Sequence, residues 1–303
     1  MSILGHMKIA FLGLGRMGTE LALKLVSDHD LTVWNRTADK TKPLVDAGAT
    51  AADTPAEAVD GAELVITSLF GPDTVREVVI EPNLIPDGVT WADATTISPA
   101  DATEFAAAVE GYVHTPVVGS LPPARQGKLG VYVGGADASR RSQVANVIAP
   151  WAAANPERLR QVDTAAQASV GKLLANLALA VTIEGFKEAL CLGQSQGLSD
   201  EQVVQMLGST GLEFIVNMKA PFLLGERDTA PGDFSVDAIA KDARLMLATA
   251  ARADGAAGAD GKAGAHGGEG KDLPAVAAAL ASLEAQQEAG RGDEDFSTVV
   301  VYR

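Results

Sequence analysis

Three glycines near the start of the chain have the spacing of a phosphate-binding turn. The apolar run Lys8-Ile-Ala-Phe-Leu leads into Gly13-Leu14-Gly15-Arg16-Met17-Gly18, and an apolar pattern of helical spacing follows. In such a turn Gly13 makes the tight bend, Gly15 lets the backbone approach a pyrophosphate, and Gly18 allows close packing of helix on strand. The phosphates would bind at the N-terminus of a helix that begins near Arg16. The sequence therefore predicts a dinucleotide-binding turn, although a plain strand-to-helix turn has a similar composition.

The residues after the second predicted strand indicate which dinucleotide is bound. This strand, Leu31-Thr-Val-Trp34, ends at Asn35-Arg36-Thr37. At this place a carboxylate would bind the ribose 2′-hydroxyl of NAD, whereas a guanidinium attracts the 2′-phosphate of NADP. The triplet therefore favours NADPH/NADP+ over NADH. The alternative is that Arg36 is an ordinary solvated arginine.

A lysine and an asparagine four residues apart lie in a long apolar segment. Lys172 and Asn176 share one face of the helix predicted for this segment. Lys172 stands among Val170, Leu173 and Leu174, where a lysine either extends its charge into water or acts as a catalytic ammonium. Spacing alone leaves both roles open.

Two kinds of structure are predicted to position these residues. Over residues 7–163, short apolar strands alternate with helical stretches, which indicates a parallel sheet covered by helices. Nearly all of residues 164–303 has a helical pattern. We predict an α/β fold with an N-terminal Rossmann-type doubly wound sheet, followed by an all-α C-terminal domain centred on one long helix. The Gly- and Ala-rich run at 252–271 is predicted to be a flexible surface loop.

Composition excludes several classes of function. The net charge of −15 opposes binding to nucleic acid or to anionic lipid. We expect that no apolar run reaches the roughly 18 residues of a membrane span. Four scattered histidines and a single cysteine predict neither a metal site nor an internal disulfide, and Cys191, among apolar neighbours, is expected to be buried. We expect a cytoplasmic protein that forms a homodimer or higher homo-oligomer through its long apolar helix.

The glycine turn and the Asn35-Arg36-Thr37 triplet together resemble the β-hydroxyacid dehydrogenase family. This family includes 3-hydroxyisobutyrate dehydrogenases and glyoxylate or succinic semialdehyde reductases. The resemblance extends from Met7 to Val299. It implies an NADPH-dependent oxidoreductase that transfers hydride between nicotinamide and a small carbonyl or hydroxy compound.

The resemblance also implies roles for individual residues. Lys172-x-x-x-Asn176 is similar to the family's catalytic pair, in which the lysine protonates the carbonyl oxygen and the asparagine positions the lysine or the substrate. An ammonium beside a developing alkoxide both supplies the proton and stabilises the charge. Residues matching positions at the cofactor are Leu69, Phe70, Thr96 and Lys241. Without the resemblance, Lys241-Asp242 could equally be a solvated pair that opens the next helix.

The residues implied to bind the substrate depart in part from the family pattern. Thr95 replaces a serine but keeps a hydroxyl, although hydroxyls ahead of Ser98-Pro99 could also be a helix cap. In the segment from His114 to Ser120, which resembles the family's Asp-Ala-Pro-Val-Ser-Gly-Gly, His114 replaces the aspartate, Val118 the serine and Ser120 the second glycine. The family's serine and glycines, matched by Val118, Gly119 and Ser120, hold the substrate carboxylate. The missing serine hydroxyl removes a charge-assisted hydrogen bond worth about 1.5–3 kcal/mol, which favours a less polar carbonyl or an imine.

Two alternatives to a carbonyl reductase stay open. An imine reductase shares the glycine turn and the Asn-Arg-Thr triplet but usually carries another acid in place of Lys172. His114 and Val118 favour this alternative, and Lys172 and Asn176 oppose it. A non-catalytic NADP-binding module is the other alternative, which the retained Lys172 disfavours.

Overall fold

The structure, a computed structural model, describes residues 6–251 and 271–303. The chain divides into two compact units, one ending at Lys172 and the other beginning at Leu173. This division falls within a helix that runs from Ala165 to Ser195. The predicted domain boundary at residue 163 stays a prediction. The loop predicted for 252–271 lies outside the described residues, except for Lys271.

The strands of the described residues form one nine-stranded sheet. They are β1 (Lys8–Leu12), β2 (Asp30–Trp34), β3 (Thr50–Ala51), β4 (Leu64–Thr67), β5 (Thr90–Asp93), β6 (Tyr112–His114), β7 (Val117–Val118), β8 (Gly130–Gly134) and β9 (Leu159–Val162). The first six strands pair in parallel in the order β3-β2-β1-β4-β5-β6. This order is that of a doubly wound dinucleotide-binding sheet, so the predicted fold class is confirmed.

Beyond β6 the sheet continues with antiparallel pairing. β6 and β7 lie along the same edge of β8 in one register, with His114 opposite Gly134 and Val117 opposite Val131. Pro116 separates them, because proline has no N–H with which to continue the ladder. β9 pairs in parallel with the other edge of β8.

Helices cover both faces of the sheet in the first unit. They are α1 (Arg16–Leu23), α2 (Lys42–Asp46), α3 (Pro55–Val59), α4 (Pro72–Val75), α5 (Pro99–Ala108), α6 (Leu121–Arg125) and α7 (Ala138–Val147). Successive residues of β1 point to opposite faces, so that Ile9 and Phe11 pack in one apolar cluster while Ala10 and Leu12 pack in another. A strand buried on both faces explains the continuous apolar run in the sequence.

The second unit is all helical in its described residues, as predicted. Its elements are the larger part of α8 (Ala165–Ser195), α9 (Asp200–Leu207), α10 (Glu213–Leu223), α11 (Val236–Ala251), α12 (Pro274–Glu288) and α13 (Thr298–Val301). α8 contributes a buried stripe at Ile183, Phe186 and Leu190. A buried ion pair joins Lys219 Nζ to Asp295 Oδ1 at 2.6 Å. Burial lowers the pKa of Lys219, and the Asp295 charge opposes that shift.

Helix α8 has two properties that bear on the sequence expectations. Among the described helices, it alone is long and apolar enough to cross a membrane by length and composition. Its buried stripe packs against other helices of the second unit, as a core helix does. The expectation that Cys191 is buried is wrong, because its side chain is exposed.

Candidate functional site

The glycine turn between β1 and α1 has the geometry of a phosphate-binding loop. Gly13 has φ +99°, and a Cβ on it would clash with the carbonyl oxygen of Ser68. A Cβ on Gly18 would clash with the carbonyl oxygen of Gly13. A Cβ on Gly15 would meet no atom within 4 Å, so open space borders the backbone there. Two glycines thus build the turn, and the third leaves room for a ligand.

The N-terminus of α1 suits an anion. Gly15 is its N-cap, and within the described residues no side chain caps it and no acidic residue occupies the first turn. The N–H groups of a helix N-terminus bind phosphate oxygens well. Arg16 begins this helix, while Leu14 is buried and Met17 packs partly against the core. These residues fit the pyrophosphate of a dinucleotide.

Asn35 connects the glycine turn to the end of β2. Its Oδ1 accepts a hydrogen bond from the Leu14 N–H at 2.9 Å, and its Nδ2 donates to the Thr37 carbonyl at 2.9 Å. Arg36 and Thr37 are exposed beside it. Within residues 6–251 and 271–303, the Arg36 guanidinium makes no hydrogen bond or ion pair with another side chain. Asn35 therefore shapes this corner, and Arg36 is oriented towards solvent at the position predicted for a 2′-phosphate.

The residues after β4 and β5 are joined at the same edge of the sheet. The Leu69 N–H donates to Thr95 Oγ1 at 3.0 Å, and Phe70 is 60% exposed. Ser98 caps α5 through a reciprocal capping box with Asp101. Thr95 and the half-buried Thr96 are therefore not the cap of α5, and the helix-cap alternative is wrong for them.

A buried carboxylate that the sequence reasoning did not single out lies beneath this corner. Asp93, at the end of β5, accepts hydrogen bonds from Thr67, Thr95 and Tyr112. Burial raises its pKa to about 6, although the hydrogen bonds from these donors act to lower it. Burial also lowers the pKa of the neighbouring His114 to about 3. A polar triad of Asp93, Tyr112 and His114 thus underlies the cofactor edge.

The segment predicted to bind the substrate carboxylate follows β7. Val118 is half-buried, Gly119 is exposed with φ +138°, and Ser120 precedes α6. Because β7 continues the direction of β6, this segment lies beyond the carboxyl end of that strand. The predicted carboxylate site thus offers the Ser120 hydroxyl and the apolar Val118 side chain.

The first turns of α8 are fixed within the first unit. Ser169 Oγ donates to the Ile97 carbonyl at 2.6 Å, in the loop that carries Thr95 and Thr96. A Cβ on Gly171 would lie 2.6 Å from the ring of Tyr132, so the helix packs directly against β8. Lys172 follows at once and is 8% exposed. Its side chain is therefore not extended into water, which disfavours the solvated alternative for this lysine.

Asn176, one turn further along α8, belongs to a polar cluster in the second unit. Its Nδ2 donates to Asp242 Oδ2 at 2.5 Å, and the Lys241 ammonium lies 2.7 Å from Asp242 Oδ1. Both Asp242 and Asn176 are buried. The alternative of a solvated pair that opens a helix is wrong, because α11 begins at Val236 and buries the aspartate in its middle.

Asp242 is the residue of this cluster that the predictions omitted. It lies three residues after the buried Ile239 and four before the buried Met246, on the apolar face of α11. A carboxylate on an apolar helix face is a signal readable from sequence, because burying it requires partners. Its partners are the predicted Asn176 and Lys241.

Comparison with sequence families is consistent with this arrangement. Residues 8–163 match the NAD binding domain of 6-phosphogluconate dehydrogenase, and residues 166–261 match the NAD-binding region of NADP-dependent 3-hydroxyisobutyrate dehydrogenase. The chain belongs to the β-hydroxyacid dehydrogenase family. It is therefore an NAD(P)-binding oxidoreductase of the type that acts on hydroxy or oxo groups, as the sequence predicted.

Individual members of the β-hydroxyacid dehydrogenase family and its structural neighbours align along almost the whole chain. Glyoxylate/succinic semialdehyde reductase 1 of Arabidopsis thaliana is 26% identical over 308 residues, covering 97% of each chain. The 3-hydroxyisobutyrate dehydrogenase of Mycobacterium tuberculosis, solved with L-serine, has a TM-score of 0.80 at 26% identity and covers 97% of this chain and 98% of its own. A reductive aminase from Aspergillus terreus, solved with NADPH and ethyl levulinate, has a TM-score of 0.57 at 22% identity and covers 98% and 99%. The last likeness shows the fold alone.

Proposed function

We propose that this chain is an NADPH-dependent reductase of small carbonyl compounds, or the dehydrogenase of the corresponding alcohols, with Lys172 as the proton donor. The observation that carries the proposal is the placement of Lys172. It is buried directly after the α8 turns that Ser169 and Gly171 fix to the loop after β5 and to β8. The glycine turn belongs to the same unit.

The preference for NADPH rests on Arg36. The side chain is exposed beside the glycine turn and has no carboxylate next to it in the Asn35-Arg36-Thr37 corner. A guanidinium there would bind the 2′-phosphate by charge-assisted hydrogen bonds. The net charge of −15 makes this local cation more important, because the chain as a whole repels anions.

Lys172 would complete the reduction by protonating the oxygen. Bound NADPH supplies the hydride that reduces the carbonyl carbon. The Lys172 ammonium donates a proton to the oxygen and stabilises the negative charge that develops there. In the oxidative direction the neutral amine accepts the proton of the alcohol.

Asn176 and Lys241 are proposed to support this chemistry as a unit organised by Asp242. The carboxylate accepts from Asn176 at 2.5 Å and pairs with Lys241 at 2.7 Å, so it orients both side chains. Asn176 follows Lys172 by one turn of α8, where its amide would orient the ammonium or the substrate. Asp242 is therefore proposed as a positioning residue.

The substrate is proposed to be less polar than a short hydroxy acid. Val118 presents an apolar side chain in the predicted carboxylate site, and among Val118, Gly119 and Ser120 only Ser120 has a hydroxyl. A site with fewer polar partners binds a carboxylate more weakly. Aldehydes and ketones with a short apolar substituent are therefore the expected class.

The proposal is tested by following NADPH oxidation with aldehydes, ketones, 2- and 3-oxo acids and cyclic imines. We expect turnover of a carbonyl that falls by about 100-fold or more in Lys172→Ala. Lys187→Ala is the matched control, because Lys187 lies on the same helix but pairs with Glu184. Turnover of imines alone, unchanged in Lys172→Ala, would support the imine reductase alternative, and NADPH binding without any turnover would support a non-catalytic module.

Self-association is proposed through the outward face of α8. Leu174 and Leu192 on this helix are 60% and 70% exposed, and Val170 is 41% exposed. Such residues along one helix are typical of an interface between copies of a chain. Leu174→Glu is expected to convert an oligomer to a monomer in light scattering, and an unchanged mass would contradict this interface.

A further inference from the structure

The Asp93 carboxylate accepts hydrogen bonds from three donors, which approach both of its oxygens. Thr67 Oγ1 donates to Oδ1 at 2.7 Å and the Thr95 N–H donates to Oδ1 at 3.0 Å. The Tyr112 hydroxyl donates to Oδ2 at 3.2 Å. All four residues are buried. The strand ends of β4, β5 and β6 are thereby tied to one carboxylate.

The neighbouring histidine does not neutralise this charge. His114 Nδ1 lies 2.9 Å from the Asp93 backbone carbonyl, which can only accept, so this nitrogen carries a proton. The same nitrogen is 4.0 Å from the carboxylate. Nε2 has no hydrogen-bond partner within the described residues, which fits a neutral ring. The carboxylate is thus stabilised by hydrogen bonds rather than by an imidazolium.

Two loops at the ligand edge depend on this carboxylate. The Asp93 carboxylate accepts a hydrogen bond from the Thr95 N–H. Thr95 Oγ1 in turn accepts a hydrogen bond from the Leu69 N–H at 3.0 Å. The loop after β4 is therefore fixed to the loop after β5 through Thr95.

These loops lie where the nicotinamide half of a dinucleotide would bind. The strand order reverses between β1 and β4, and a dinucleotide lies across that reversal with its pyrophosphate at the turn after β1. The adenosine half extends over β2, where Arg36 lies. The other half must then extend over the ends of β4 and β5, above Leu69 and Thr95.

We propose that Asp93 is a positioning residue for the nicotinamide half of the cofactor, because its carboxylate fixes Thr95 and, through Thr95, Leu69. This inference rests on the proposed function, since it requires a bound nicotinamide dinucleotide. Nothing in it requires Asp93 to touch the ligand. The adenosine half is not affected, because Asn35 organises that corner separately.

Protonation of Asp93 provides the means of testing this role. A neutral carboxyl keeps fewer acceptor sites, and its bond from the Thr95 N–H loses charge assistance, which is about half of its strength. Burial raises the pKa of Asp93 to about 6, within the range of ordinary buffers. The ionisable groups that face it are Tyr112, whose pKa burial raises well above its ordinary value, and His114, whose pKa burial lowers to about 3. Asp101 acts on Tyr112 through its charge. Both Tyr112 and His114 stay neutral over the experimental range, so the transition belongs to Asp93.

The experiment measures the dissociation constants of NADP+ and of 2′-phospho-ADP-ribose, which lacks the nicotinamide, between pH 5 and 8. The ratio of the two constants isolates the nicotinamide half, because the titration of the 2′-phosphate is common to both ligands. In the wild type, the advantage of NADP+ is expected to fall about fivefold as the pH decreases through 6. In Asp93→Asn, the ratio is expected to stay at its acidic value at every pH.

A matched control and three outcomes decide the proposal. Asp73→Asn removes a fully exposed carboxylate of α4 and should keep the wild-type ratio and pH profile. A wild-type ratio that does not change with pH would overturn the positioning role, and this measurement stands even if Asp93→Asn does not fold. A wild-type pH profile retained in Asp93→Asn would overturn it as well. If the wild type binds neither ligand at pH 7.5, the proposed function itself fails and this inference falls with it.

Discussion

Replacing His114 should change how the stability of the first unit depends on pH. The His114 ring is buried and neutral in the folded chain, where burial lowers its pKa from 6.5 to about 3. Between these values the unfolded chain binds a proton that the folded chain does not. The stabilisation from His114 is therefore complete above pH 6.5 and decreases as the pH falls towards 3.

The magnitude follows from the two pKa shifts of the cluster. One pKa unit corresponds to about 1.4 kcal/mol, so acidification from pH 7 to 4.5 removes about 3 kcal/mol of stabilisation through His114. Asp93 acts in the opposite direction, because its pKa is raised from 3.8 to about 6 and its contribution is lost as the pH rises. Over the same interval protonation of Asp93 adds about 2 kcal/mol to the free energy of unfolding. In the wild type the two contributions therefore largely cancel. In His114→Asn only the Asp93 contribution remains, and acidification should stabilise this variant relative to wild type by about 3 kcal/mol.

Urea denaturation followed by tryptophan fluorescence measures this difference. All three tryptophans, Trp34, Trp91 and Trp151, belong to the first unit, so the signal reports on the unit that contains His114. The quantity of interest is the change in free energy of unfolding between pH 7 and 4.5, because any constant destabilisation by the substitution cancels. Equal pH dependence in wild type and His114→Asn, within about 1 kcal/mol, would refute the assignment of a buried neutral histidine.

The remaining predictions concern the proposed site. Arg36→Ala should raise the KM for NADPH about 10- to 100-fold and leave that for NADH unchanged, since it removes a charge-assisted contact to the 2′-phosphate; equal effects on both cofactors would contradict this role. Gly15→Ala should keep the melting temperature but weaken NADPH binding, because the added Cβ occupies open space at the expected pyrophosphate position. Gly18→Ala should lower both the melting temperature and the affinity for NADPH, because its Cβ clashes with the Gly13 carbonyl. Calorimetry with and without NADPH separates the two glycine variants, and identical behaviour would argue against the turn as a ligand site. Asp242→Asn should lower kcat at least 10-fold with little change in the Kd of the cofactor, because it removes the charge that strengthens the bond from Asn176 and pairs with Lys241; unchanged kcat would show that Asp242 is only structural.

The parts of the fold and site predicted correctly are those with short-range signals. The spacing of Gly13, Gly15 and Gly18 after an apolar strand gives the turn, because each glycine has a local steric reason that the structure bears out at Gly13 and Gly18. The alternation of apolar strands with helical segments was sufficient for the doubly wound sheet. The long α8 follows from an apolar helical run without breakers.

The parts that were missed depend on contacts distant in sequence. Asp93 is joined to Thr67, which is 26 residues away, and Asp242 is joined to Asn176, which is 66 residues away. The apolar face around Asp242 indicates a buried carboxylate, but the sequence does not reveal which distant donors satisfy it. The burial of Cys191 was predicted from its apolar sequence neighbours, but its side chain is exposed. The cofactor- and substrate-binding roles that the family resemblance implies for Thr96, Val118 and Lys241 stay predictions.

The central claim is that this chain transfers hydride from NADPH to a carbonyl carbon. The most direct test incubates the wild type with NADPH deuterated at C4, separately in each of its two stereochemical forms, and a panel of small aldehydes and ketones. Mass spectrometry of the alcohol products should find deuterium on the carbinol carbon with one of the two forms only. Oxidation of NADPH without deuterium in any alcohol product would contradict the claim.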